Sequence, residues 1–125
     1  MSQQHISKQG FPRHVRLLSA EDYKKVFAQP VRSSDRYFTV LARYDRQQEL
    51  ARLGLAVAKK HVRRAVDRNR IKRLLRESFR RHQQYLKGYD LVVLVKPGIH
   101  KADNLTLFSS LEKHWKRLNQ AVPSD

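Results

Sequence analysis

Cysteine is absent from the 125 residues, and with it any disulfide or thiolate metal site. Long apolar runs are missing too. The longest strand-like one, Leu91-Val92-Val93-Leu94-Val95, falls far short of the ~20 residues a membrane-spanning helix needs, so no membrane partner is expected. The opening stretch MSQQHISKQGFPRH holds no continuous apolar segment, so no secretory signal is expected; the lack of cysteine suits a reducing cytosol, and a cytoplasmic location is expected. Acidic residues are scarce. Of the Asp and Glu side chains only Glu21 and Asp22 are adjacent, and a helix first turn explains them, so the carboxylate cluster of a metal-dependent nuclease is missing. Histidines 5, 14, 61, 82, 100 and 114 form no HxH or HExxH pattern. No metal ligand and no catalytic side chain is therefore assigned, and repeats and low-complexity tracts are lacking.

What is abundant is positive charge: 27 Lys and Arg against 11 Asp and Glu, a formal net charge of +16. Such a chain repels itself and calls for a polyanionic partner, nucleic acid first. A length of 125 residues allows one core. The expected organisation is a flexible segment over 1–12, one α/β domain over 13–121 and a tail over 122–125.

Ser19 reads as an N-cap, with Glu21 and Asp22 in the first turn of a helix from about Ala20 to Ala28 that Pro30 stops. RYFTVLARY (36–44) reads as a strand, with Tyr37, Thr39 and Leu41 on one face and Phe38, Val40 and Ala42 on the other. Residues 45–49 turn into a second strand, Arg52 to Ala58. Tyr89 to Lys96 is a further strand, entered from Gly88 at the end of a long helix and closed by Pro97-Gly98. Asn104 is placed as the cap of a last helix with Leu107, Leu111, Trp115 and Leu118 on its apolar side. The order predicts an α+β fold, a small two-layer sandwich of a central sheet and three helices.

The segment RNRIKRLLRESFRR (68–81) is the most informative. At 100° per residue Ile71, Leu74, Leu75 and Ser78 share one side, with Phe79 on its flank. Asn69, Lys72, Arg73, Arg76 and Arg80 form a cationic ridge opposite. Val62, Ala65 and Val66 would fall on the cationic side of one straight helix. A break near Asp67 is therefore expected, with Val62 and Val66 packed in a crossover and the helix starting near Arg68. A solvated helix face usually mixes signs, but across residues 63–81 only Asp67 and Glu77 offset nine Lys and Arg. The guanidinium fork suits phosphates and bases. No heptads follow and strands flank the segment, which favours RNA or single strands over duplex DNA.

The run GLAVAKK (54–60), then VRRA (62–65), then RNRIKRLLRESFR (68–80) resembles the protein subunit of bacterial ribonuclease P. Arg16-Leu17, Phe27, the strand from Asp90 to Val95 and the last helix extend the likeness over roughly 11–120. The resemblance implies that the strands before and after the basic helix are joined by a left-handed crossover. It implies a partner RNA that is the catalyst, with magnesium bound mainly by that RNA, hydrolysing precursor tRNA at the mature 5′ end. It implies catalytic-RNA contacts at Lys59, Lys60, Arg63, Arg64, Arg68, Asn69, Arg70, Lys72, Arg73, Arg76 and Arg80. It also implies a cleft for the 5′ leader at Phe11, Arg13, Tyr23, Phe27, Thr39 and Leu41; for Tyr23, Phe27 and Leu41 ordinary core packing is the competing account. A ribosomal or general RNA-binding protein is the alternative function.

Overall fold

A computed structural model describes residues 15, 16 and 19–120. The expected flexible N-terminal segment, the C-terminal tail, Phe11, Arg13 and Leu17 lie outside the described residues.

Ser19 caps the first helix, α1 (Ala20–Ala28), as its spacing predicts. Its Oγ accepts from the Asp22 N–H at 3.1 Å, and the Asp22 carboxylate accepts from the Ser19 N–H at 3.4 Å, a reciprocal capping box. There follow β1 (Val31–Ser34), β2 (Phe38–Tyr44), β3 (Arg52–Ala56), α2 (Ala65–Arg81), β4 (Tyr89–Val95), a 3-10 turn at Ile99–Lys101, and α3 (Asn104–Gln120). The sheet runs β1-β2-β4-β3. Its first two pairings are antiparallel, and β3 lies parallel to β4, to which α2 connects it. The α+β class expected from the order of elements is the observed one.

The two faces of the sheet differ in what covers them. Phe38, Val40, Ala42, Leu53, Leu91, Val93 and Val95 point to the main core, which α2 closes with Ile71, Leu74, Leu75 and Phe79 and α3 with Leu107, Leu111, Trp115 and Leu118. The opposite face is covered in part by α1, whose Val26 packs on Leu41 and Val92. Asp90, 2% exposed, fastens this side: it accepts from Arg52 at 2.8 and 2.7 Å and from Gln48 Nε2 at 2.9 Å, while Arg52 also faces Asp22 of α1 at 3.6 Å.

Several boundaries differ from the expected ones for local reasons. β2 starts at Phe38 because the Asp35 carboxylate accepts from the N–H groups of Tyr37 and Phe38, at 2.9 and 3.0 Å, and makes a turn of the preceding residues. α2 starts at Ala65, three residues early, with Arg64 extended ahead of it. Val62 is buried as expected, but Val66 is 64% exposed in the first turn and packs in no crossover. The same helix ends at Arg81, not at Gly88. There the His82 ring Nδ1 donates to the Ser78 carbonyl at 2.7 Å. Gly88 instead closes the turns before β4 at φ +88°, with the Tyr44 ring where a Cβ would stand. The cap of α3 is Asp103, whose carboxylate accepts from the Thr106 N–H at 2.9 Å, one residue before the expected Asn104.

A polar staple ties the β1–β2 hairpin to α3. Arg117 donates to Ser33 Oγ at 2.7 Å, and the Ser33 hydroxyl bonds His114 Nδ1 at 2.6 Å, so the neutral imidazole carries its proton on Nε2, 3.2 Å from Asp35. Ser110 Oγ donates to the same carboxylate at 2.5 Å, and the Lys96 ammonium caps the Asp35 carbonyl. Burial pushes the His114 imidazole below its ordinary value, more than the Asp35 charge raises it. Burial also pushes Asp35 upward, but hydrogen bonds from Ser110, Phe38 and Tyr37 and the nearby imidazole outweigh it and bring the carboxyl to about 2. Both groups therefore bind protons more readily in the unfolded chain. Their stabilisation is complete above about pH 6.5 and declines below it, first as unfolded His114 protonates, then from about 3.8 toward 2 as Asp35 does. Melting temperatures from pH 8 to 2 should show this decline. His114→Gln is expected to remove its upper part and Asp35→Asn its lower part, about 1 kcal/mol after allowance for solvent contact. Unchanged pH profiles in both variants would contradict the assignment.

Candidate RNA interface

The amphipathic division of α2 is as the periodicity predicts. Ile71, Leu74, Leu75, Ser78 and Phe79 are buried, while Asn69, Arg73, Arg76 and Arg80 are exposed and Lys72 is half-buried at the helix flank. Glu77 takes up part of the charge at the far end, through Arg80 and through Arg81 at 2.9 Å, and the Arg81 guanidinium also lies 5.4 Å from the Phe108 ring centre. Lys59, Lys60 and Arg63 are exposed in the turn between β3 and α2, and Arg64 is paired with Asp67 at 3.0 Å.

Arg68 and Arg70 are placed differently. Arg68 donates to the carbonyls of Val62 and Arg63, at 3.1 and 2.7 Å. Arg70 donates to Asn104 Oδ1 at 2.6 Å and to the carbonyls of His100 and Ala102 at 3.1 Å each. Charge counting alone missed this, because the acceptors of Arg70 lie some thirty residues away in sequence.

Beside the ridge, at the edge strand β3, opens a cleft of about 210 Å³ lined by Arg16, Tyr23, Leu53, Gly54, Leu55, Lys72 and Arg76. Its geometry depends on Gly54. A Cβ there would lie 2.6 Å from Tyr23 Oη and 2.8 Å from two ring carbons, so the ring can lie over the strand only because the side chain is missing. Arg16, which bridges to Leu53, faces Arg76 across the cleft. Burial first and this like charge second hold the Arg76 guanidinium below its ordinary value. A phosphate placed there would relieve that repulsion.

The residues expected to line a leader cleft are thus only partly brought together. Tyr23 is half-buried on the cleft, and Phe27 is 49% exposed at the end of α1. Leu41, 4% exposed, packs beneath Val26, and Thr39, 5% exposed, bonds Ser34 Oγ at 3.0 Å, so neither presents an open surface to a base. Sequence reasoning passed over Gly54 as a cleft residue. The available signal was an isolated glycine inside a strand, which marks a close approach. Among the described residues no group of three or more His, Cys, Asp or Glu side chains is placed to hold a metal ion, and no helix is long and apolar enough to cross a membrane.

A small α+β sandwich carrying one cationic helix beside a strand-edge cleft defines a protein of the RNA-binding class. Comparison with known proteins narrows that class. The family model for Ribonuclease P matches residues 11–119. The ribonuclease P protein component of Thioalkalivibrio sulfidiphilus is 52% identical over 111 residues, covering 89% of this chain and 92% of that one. That of Pectobacterium atrosepticum is 50% identical over 116 residues, covering 93% and 97%. Among solved structures, the RNase P protein of Thermotoga maritima superposes with a TM-score of 0.71 at 32% identity, covering 82% of this chain and 96% of that one. The chain belongs to the ribonuclease P protein family, and so is the protein subunit of an endoribonuclease that contains RNA.

Proposed function

We propose that α2 holds the catalytic RNA of ribonuclease P along Asn69, Lys72, Arg73, Arg76 and Arg80, with Lys59 beside them, and that the cleft at Tyr23 and Gly54 receives the single-stranded 5′ leader of precursor tRNA. The work is done in the cytoplasm, and hydrolysis is by the RNA subunit with magnesium bound mainly by that RNA. The observation that carries this reading is that Lys72 and Arg76 belong to both surfaces, the ridge and the cleft. One helix can then hold catalyst and substrate side by side.

The assistance is electrostatic and positional. Two RNAs that must meet repel each other, and a wedge of +16 between them lowers that cost. Phosphate contacts release counterions, so affinity falls with salt by roughly 0.7 log units per tenfold salt for each single-strand phosphate neutralised. Stacking on Tyr23 and Phe27 adds about 1–3 kcal/mol per base with little sequence preference, which suits a site that accepts many leaders.

Gly54→Ala tests the cleft without removing a charge. The added methyl displaces the Tyr23 ring, so the holoenzyme should bind precursor tRNA about fivefold or more weakly, as for partial loss of one stacking contact. Binding of mature tRNA, which has no leader, should be unchanged. Equal losses for both RNAs would count against the leader assignment.

A further inference from the structure

Arg52 opens β3 and takes no part in the cationic ridge. Its Nε and Nη2 donate to the two oxygens of Asp90, at 2.8 and 2.7 Å, in the forked geometry that a guanidinium supplies. Asp90 is 2% exposed and stands opposite Arg52 in the parallel β3–β4 register, so the guanidinium is fixed relative to the sheet. Nη2 has a second carboxylate in front of it, Asp22 Oδ1 of α1 at 3.6 Å. The other oxygen of Asp22 accepts from the Ser19 N–H that caps the same helix. The first turn of α1 is thus tied to the sheet through one arginine.

Side chains alternate along a strand, so Arg52 and Gly54 point to the same face of β3, roughly 7 Å apart, with Leu53 turned into the main core between them. Asp22 meets the first position and Tyr23 the second. Two neighbouring residues of α1 therefore rest on two same-face positions of one strand, an ion pair at one and a ring against bare backbone at the other. The apolar hold on α1 is slight: Val26 is its one buried residue, in a small cluster with Leu41 and Val92 apart from the main core. A polar tie at the first turn then decides where Asp22 and Tyr23 stand over the strand.

We infer that Arg52 is a positioning residue for leader recognition: anchored on Asp90, it holds Asp22 and so sets the Tyr23 ring over Gly54. Arg52 does not itself line the cleft. The inference rests on the leader-cleft reading above and adds to it a polar tie, outside the cleft, that gives the stacking ring its place.

Two variants separate the tie from net charge and from folding. Asp22→Asn keeps an amide oxygen for the Ser19 N–H and leaves the Arg52–Asp90 pair intact. Arg52→Lys keeps the positive charge and a donor for the buried Asp90, yet a single ammonium cannot reproduce the fork that spans both carboxylates. By charge alone, removing a carboxylate near the cleft would tighten RNA binding. The tie predicts the reverse for Asp22→Asn: in the holoenzyme, affinity for precursor tRNA should fall about threefold relative to mature tRNA, the scale of one partly exposed ion pair. Arg52→Lys should lower the same ratio while affinity for ribonuclease P RNA stays unchanged. In a Tyr23→Ala background neither variant should lower the ratio further, because both act through that ring. A merely structural role would weaken binding of precursor and mature tRNA alike and would persist in that background.

NMR of the full chain gives an independent readout. The nuclear Overhauser contact between the Tyr23 ring and the Gly54 Hα protons should weaken in both variants, while the contact of Val26 with Leu41 remains. An unchanged Tyr23–Gly54 contact, an unchanged ratio where Tyr23→Ala lowers it, or a tighter precursor complex in Asp22→Asn would overturn the inference. A weakened contact with the ratio unaltered in Tyr23→Ala as well would instead sink the leader assignment and leave the tie standing.

Discussion

Replacing Lys72, Arg73 and Arg76 together by alanine is expected to weaken binding to ribonuclease P RNA by two to three orders of magnitude at physiological salt, with a melting temperature within a few degrees of the original. Each lost charge-assisted phosphate contact is taken as worth about tenfold, or ~1.4 kcal/mol. The slope of log affinity against log salt should flatten by about 2, as for three contacts at roughly 0.7 each. The fold should survive because the helix is held by the other face, where Ile71, Leu74, Leu75 and Phe79 are buried in the main core. Both quantities come from one salt series and one melt. An unchanged slope, or unfolding on the same scale as the affinity loss, would show the ridge to be structural.

Trp115→Ala should do the reverse. Trp115 is fully buried between α3 and α2, with its indole N–H donating to Ser78 Oγ at 3.0 Å, and Ser78 is itself 1% exposed. Removing the indole opens a large cavity in the main core and strips a buried hydroxyl of its donor. For Trp→Ala that costs about 3–5 kcal/mol. Against a typical total of about 5–15 kcal/mol the variant should melt roughly 10–20 °C lower, while the salt slope of its RNA affinity, read well below melting, stays as before. A small shift in melting temperature would mean that α3 contributes far less to the core than its buried residues indicate.

How much of this could be read from the residues depended on how local the cause was. Ser19 and Asp22 cap α1 within four residues, and the period of Ile71, Leu74, Leu75 and Ser78 fixes the buried side of α2, so both were legible. β1 was not. Its sequence Val-Arg-Ser-Ser has little strand character, and it exists because it pairs with β2 and because Ser33 is bound by His114 and Arg117, more than eighty residues away. The roles of Arg68 and Arg70 were hidden too, since an arginine that binds carbonyls, whether five residues away or thirty, reads no differently in sequence from one that binds phosphate. Val66 was expected inside for its apolar character, yet it stands in the first turn of α2 on the cationic side, and a single exposed valine is tolerable there. For the cleft, the family resemblance pointed to both Tyr23 and Leu41; Tyr23 lines the cleft, but Leu41 sits beneath α1, because one face of β2 must supply the packing that holds α1 in position.

The most direct test of the central claim is precursor-tRNA cleavage at low magnesium in three samples: this protein alone, the cognate ribonuclease P RNA alone, and the two together. Cleavage at the mature 5′ end should be efficient only in the combined sample, where the cationic helix offsets the repulsion between the two RNAs. Cleavage at that site by the protein alone, or no gain of the mixture over the RNA, would contradict the account.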